Sequence, residues 1–185
     1  MSTPNFPPLA ELERNLETIR QSPKDAGALQ WIVRRPQVDE REILKEGQLD
    51  PADGLVGDSW RARKSPGEEE AAHNNRQITL MNARVISLLA QNQERWQLAG
   101  DQLFVDLDLS LDNLPPGAHL KIGAAVIEVT AQPHTGCKKF AERFGLDALK
   151  FVNSPVGRQM NLRGINAKVI HPGMIHVGDV IEKMD

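Results

Sequence analysis

The stretch that decides the fold is DQLFVDLDLSLDNLPPGAHLKIGAAVIEVTAQP, residues 101–133. Leu103, Val105, Leu107 and Leu109 alternate with polar neighbours, the period of a strand with one buried face. LPPG closes that run as a turn, and HLKIG and AAVIEVT follow as a hairpin about Gly123. Toward the C-terminus, INAKVI, an HPG turn and IHVGDVIEKM read as two further strands. Toward the N-terminus, ALQWIVRRP is a short strand from Ala28 ended by Pro36, REILKEGQLDP is strand and loop, ADGLVGDSW is a Gly/Asp-rich turn, and RQITLMN is a strand. Many short strands with Gly/Pro turns predict a mostly β fold, a barrel or sandwich with a few short α-helices.

Three helices are expected around those strands. Leu9, Leu12, Leu16 and Ile19 recur at helical spacing, which predicts an amphipathic helix over 7–21. It forms an N-terminal appendage (1–27) on a main domain (28–185), packing on that domain or on a second subunit, so a homodimer is among the expectations. Val85, Leu88, Leu89 and Trp96 predict a helix closing at Gly100, and Phe140 and Phe144 a short one ending at Gly145. The polar run RARKSPGEEEAAHNN, residues 61–75, is expected as a long exposed loop.

Composition narrows the function. With 185 residues, 40% hydrophobic and 25% charged, the chain suits one ordinary globular domain. No apolar run is long enough to span a membrane, and the first residues lack the features of a signal peptide, so a cytoplasmic location is expected. A net charge of −3, 4% aromatic residues and no Tyr argue against nucleic acid as a partner. A single cysteine excludes an internal disulfide and any Cys-rich zinc or iron–sulfur site. No P-loop, dinucleotide fingerprint, G-x-S-x-G or H-E-x-x-H occurs. The carboxylates of GEEE and LDLSLD belong to a charged loop and to the solvent side of a strand.

What chemistry remains centres on Cys137 in QPHTGCKKF. A helix beginning at residue 138 would put the thiol at its positive end, beside Lys138 and Lys139, and favour the thiolate that attacks, carries sulfur or binds a soft metal. An inert core cysteine is the competing reading. His134, three residues earlier, suits a metal or a general base, or caps the loop. Arg158, Arg163, Lys168 and Arg76 would make an anion site if they converged, and are solvated charges if they do not. His73, His119, His171 and His176 read as surface turn residues.

In order, GLVGDSW, RQITLMNARV, the stretch from Ala99 to Phe140 and GRQMNLRGINAKVIHPGMIHVGDVI make residues 28–183 resemble a MOSC domain, the module that ends molybdenum cofactor sulfurases and also stands alone in small bacterial proteins. The resemblance implies a distorted β-barrel. It also implies that Cys137 either ligates the molybdenum of a bound pterin cofactor or carries sulfur as a persulfide. It further implies that basic residues hold the cofactor's phosphate, with Arg163 the first candidate, then Lys138 and, more weakly, Arg76. Two departures stand out: a charged loop replaces the histidine and glycines that follow GD in many members, and no pyridoxal-phosphate-dependent desulfurase half is present, so pyridoxal phosphate would belong to a partner.

Three functions follow as expectations. One is a molybdenum-cofactor oxidoreductase acting on N-hydroxylated compounds with electrons from a separate redox partner. The second is a sulfur carrier loaded by a cysteine desulfurase. The third is a binding barrel with a buried, unreactive cysteine.

Overall fold

A computed structural model describes residues 5–185. Two short helices, α1 (Leu9–Arg14) and α2 (Leu16–Arg20), precede β1 (Ala26–Arg34), β2 (Glu42–Leu44), β3 (Glu46–Asp50) and β4 (Gly54–Leu55). A 3-10 turn (Ser59–Arg63) and α3 (Glu70–Asn74) lead to β5 (Ile78–Asn82), α4 (Ala83–Ala90), a second 3-10 segment (Gln93–Ala99) and β6 (Leu103–Asp106). Then come β7 (His119–Ile122), β8 (Ala125–Val129), α5 (Lys138–Phe144), α6 (Leu146–Asn153), α7 (Pro155–Gln159), β9 (Ile165–His171), β10 (Gly173–His176) and β11 (Val180–Lys183).

The main sheet runs β11-β7-β8-β9-β5-β6-β1, and β1 pairs back onto β11, which closes a seven-strand barrel. Its pairings are antiparallel except β5 with β6, whose parallel register needs the crossover that α4 and the second 3-10 segment supply. β2 extends β1 beyond the barrel, and β10-β3-β4 form a separate small sheet.

Two apolar cores explain the strand sequences. Leu29, Ile32, Leu80, Leu103, Val105, Leu120, Ile127 and Val169 fill the barrel. Met81 and Phe104 point outward from the same strands and are covered by Leu12, Ile19, Val85, Ile86, Phe144 and Phe151 of the helices. Hence β5 is buried at every position, and Phe104 is as buried as its inward neighbours. The alternation predicted for residues 103–109 is therefore shorter in fact: β6 ends at Asp106, and Leu107 and Leu109 are buried beyond the strand.

The 7–21 helix is two pieces. Asn15 turns the chain between them while its Nδ2 donates to the Glu11 carbonyl at 2.9 Å, the local competition that makes Asn a poor interior helix residue. Both pieces pack on this chain through Leu12 and Ile19, and the Leu9 N–H donates to Asp147 Oδ2 at 3.0 Å on α6. The expected 83–100 helix also breaks: Gln91 takes a left-handed conformation (φ 59°), and the Asn92 side chain caps the second 3-10 segment. α6 and α7 lie outside the three expected helices. Among the described residues no helix is long and apolar enough to cross a membrane.

Candidate functional site

The loop from β8 to α5 is held from both sides. Asn166 Nδ2 donates to the Gln132 carbonyl at 3.0 Å. Asn153 of α6 grips Gly136 twice, accepting from its N–H at 2.9 Å and donating to its carbonyl at 3.1 Å. A Cβ on Gly136 would stand 2.7 Å from Leu149 Cδ1, so any larger residue there would have to push the Leu149 side chain aside. Cys137 follows as the N-cap of α5, its carbonyl accepting from the Ala141 N–H at 3.1 Å, with the thiol free and exposed. The helix expected after Cys137 is present. The reading of Cys137 as a buried core residue is not met.

Cys137 sits on the wall of a pocket of about 320 Å³ shared with Arg41, Arg63, Lys139, Phe140 and Arg143. Most of these cations lack a buried carboxylate. Arg41 donates only to carbonyls, Nη1 to Glu40 at 2.7 Å and Nε to Gln97 at 3.3 Å. Arg63 reaches the Ser59 hydroxyl at 2.9 Å. Arg143 donates to the Leu98 carbonyl at 2.7 Å and lies 3.9 Å from Asp39, whose side chain is 74% exposed. Burial first, then the neighbouring Arg143, Arg35 and Arg63, lowers the proton affinity of Arg41 below the usual arginine range. Arg63 is lowered by burial and by Arg35. Like charges crowded into a partly dehydrated pocket repel one another, with the exposed Asp39 on the same wall as their nearest acid.

These are not the cations the sequence singled out. Lys138 is 92% exposed and leans toward Glu142, while Lys139 lines the pocket instead. Arg158 donates to the Asn153 carbonyl at 3.1 Å, and Lys168 lies 3.2 Å from Glu128. Arg76 forks onto both oxygens of Glu68 in a neighbouring cleft, which shares Arg63 with the Cys137 pocket. Arg163 does reach the pocket wall, but it is committed elsewhere. Its Nη1 donates to Asp101 Oδ2 at 2.6 Å, its Nη2 to the Ala99 carbonyl at 2.9 Å, and its guanidinium stacks on Phe140. Arg41, Arg63 and Arg143 carried no sequence signal, because residues 41, 63 and 143 converge only through the fold.

Asp101 ties this wall together. It is fully buried, and its second oxygen takes the Nε2–H of His134 at 2.8 Å. Burial alone would raise the Asp101 pKa, but Arg163 and then His134 outweigh it and bring it to about 2. Burial, with Arg163 adding to it, holds His134 below the ordinary histidine range and so keeps the imidazole neutral. The unfolded chain therefore binds a proton on His134 once pH falls below about 6.5, and folding loses stability there. The Asp101 contribution, full above about 3.8, is lost as pH falls through about 2. Urea midpoints are expected to fall between about pH 7 and about pH 5, and His134→Asn should flatten that fall.

The 61–75 loop departs most from expectation. It contains α3, and His73 is 1% exposed, stacked on Trp60 at 4.3 Å. His73 is therefore part of the fold's interior and not a surface turn residue. Gly164, which follows Arg163, has φ 118°, and a Cβ there would stand 2.2 Å from the Leu80 carbonyl. Gly164→Ala is expected to cost more than about 2 kcal/mol in thermal unfolding. Gly117→Ala, at φ 93° in open space, should cost about 1.

The family model described as MOSC domain matches residues 68–182. Cys137, Lys139, Arg143 and Arg163 lie inside that span, whereas Arg41 and Arg63 come from the chain before it. No curated protein matches the sequence. Among solved structures, the YUAD protein from Bacillus subtilis superposes with a TM-score of 0.62 at 17% identity, covering 85% of this chain and 95% of that one. YiiM from Escherichia coli superposes at 0.55 with 19% identity, covering 85% and 70%. YiiM from Geobacillus stearothermophilus does so at 0.51 with 13% identity, covering 88% and 74%. At these identities the likeness is one of fold.

Proposed function

Because the chain belongs to the MOSC domain family, we propose that it holds a molybdenum–pterin cofactor at Cys137 and acts as an oxidoreductase on N-hydroxylated compounds. The observation that carries this reading is the convergence of Arg41, Arg63, Lys139 and Arg143 on the pocket that exposes the lone thiol. These residues fit the cofactor: a soft sulfur ligand stands beside cations that need an anion. Among the described residues no group of three His, Cys, Asp or Glu could hold a metal, so a metal here would arrive with ligands of its own.

In this reading Cys137 would ligate the molybdenum, and Arg41, Arg63 and Arg143 would bind the phosphate. The bound cofactor would supply two-electron redox chemistry, replenished by a separate redox partner. Asn153 and Gly136 fix the thiol's approach, and the Asp101–Arg163 pair stiffens the wall behind it. Molybdenum near one per chain is expected in protein from a molybdenum-replete host, falling to background in Cys137→Ala. Metal-free wild type from a host that makes the cofactor would refute the reading.

The exposure of Cys137 supports a second reading, a carrier of persulfide sulfur. Incubation with a cysteine desulfurase and cysteine would then add one sulfur to Cys137 by mass spectrometry, and an unmodified chain would count against it.

A further inference from the structure

Beside the Cys137 pocket, with Arg163 lining both, lies a second cavity of about 280 Å³. Leu114, Val129, Val152 and Ile165, all buried, give it an apolar floor. Arg158 lines it too and, as an exposed residue, marks its solvent edge. An apolar chamber with a polar anchor at one side is the pattern of a small-molecule site.

The permanent charges in this wall are of one sign. Among the described residues that line it there is no aspartate or glutamate, and its two arginines stand in different states. Arg163 is already engaged, Nη1 with Asp101 Oδ2 at 2.6 Å and Nη2 with the Ala99 carbonyl at 2.9 Å. Arg158 is engaged only through Nε, which donates to the Asn153 carbonyl at 3.1 Å and so restrains the side chain. Among the described residues neither of its terminal nitrogens has a hydrogen-bond or ion-pair partner. The neighbouring amides are spent on the backbone, Asn153 on the Gly136 carbonyl and Asn161 on the Leu109 carbonyl. A restrained guanidinium with its terminal N–H groups unused matches a carboxylate, and the floor matches an apolar body behind it.

We propose that this cavity binds an organic monocarboxylate, its carboxylate on the terminal nitrogens of Arg158 and its apolar body on the floor of Leu114, Val129, Val152 and Ile165. A cationic ligand would meet guanidinium and no acid, and a second carboxylate would be desolvated on the floor. A neutral ligand would gain the floor alone and leave Arg158 to water. Size sets the body at about two rings, since an apolar cavity of about 150 Å³ in another protein takes benzene and this one is nearly twice as large. The Cys137 pocket draws on other cations, Arg41, Arg63, Lys139 and Arg143, so the carboxylate site does not depend on what Cys137 carries.

The probe is 2-naphthoate, ionised at neutral pH, with 2-naphthamide as its uncharged match in shape. Titrated into the ¹⁵N-labelled protein, naphthoate should shift the amides of Val129, Gly157 and Ile165 with a sub-millimolar Kd. It should bind about fivefold tighter than the amide, the effect of a partly exposed ion pair. Arg158→Gln should erase that preference with little change in Tm and leave naphthamide binding as it was, whereas Arg158→Lys should keep part of it. Cys137→Ala and Arg41→Glu/Arg143→Glu should bind naphthoate as wild type does, even without molybdenum, so this site and the cofactor site fail separately. Absent shifts, shifts confined to Lys139 and Arg143, equal affinity for acid and amide, or a preference that survives Arg158→Gln would overturn the proposal.

Discussion

Asp101→Ala is expected to lower stability by about 3–5 kcal/mol. The carboxylate is fully buried and answers two groups at once, Arg163 at 2.6 Å and His134 at 2.8 Å. Removing it leaves a guanidinium enclosed by Ala99, Phe140 and the pocket walls with no counter-charge, and strips His134 of its acceptor. For a chain of this length that corresponds to a fall in Tm of roughly 10 °C or more. Asp101→Asn, which keeps the shape and gives up the charge, should fall between. The double variant Asp101→Ala/Arg163→Met should recover part of the loss, because the orphaned charge goes with its partner. If the single and double variants were equally unstable, the cost would lie in packing and not in the ion pair.

Arg41→Glu/Arg143→Glu is expected to abolish anion binding at the Cys137 pocket while leaving the chain folded. Neither arginine is in a buried pair: Arg41 donates to carbonyls alone, and the acid nearest Arg143 is the exposed Asp39. Added phosphate should raise the wild-type Tm by mass action, less so at high salt, and leave the variant's Tm unmoved. Molybdenum content should drop at least tenfold, a loss of about 1.4 kcal/mol or more. Lys138→Glu is the control, since that side chain is 92% exposed and lies outside the pocket. A matching loss in the control would mean that net charge matters and the pocket does not.

The β framework was legible because local pattern and tertiary demand agree there. The hairpin about Gly123 and the strand through Ile78–Asn82 stand where alternation and turn residues put them. What local pattern could not show is a sheet covered on both sides, where Met81 and Phe104 face helices while Leu80 and Leu103 face the barrel. The helices α6 and α7 passed unnoticed because each is a turn or two long, too short for a periodic signal. Cys137 was found from its polar approach and from family resemblance, and the fold exposes it. The cations around it are mostly others than those expected. Nearness in sequence favoured Lys138 and Arg158, yet the pocket draws Arg41 from the loop after β1, Arg63 from the 3-10 turn and Arg143 from α5. Arg163 shows the reverse case, an expected residue that lines the pocket but is bound into its wall.

The barrel's closing seam joins β1 to β11. Ala26, Gly27 and Ala28 pair with Glu182, Ile181 and Val180, so the first strand waits for nearly the last residues. During synthesis, β1 and β6 can pair while much of the chain is still unmade, but the cylinder cannot shut until β11 has left the ribosome. A nascent chain stalled before residue 180 would present the free edges of β1 and β7 to its neighbours. Late truncations should therefore be far more prone to aggregate than their length suggests. Assembly should also be slow for a protein of this size, since its last contact is its most distant one.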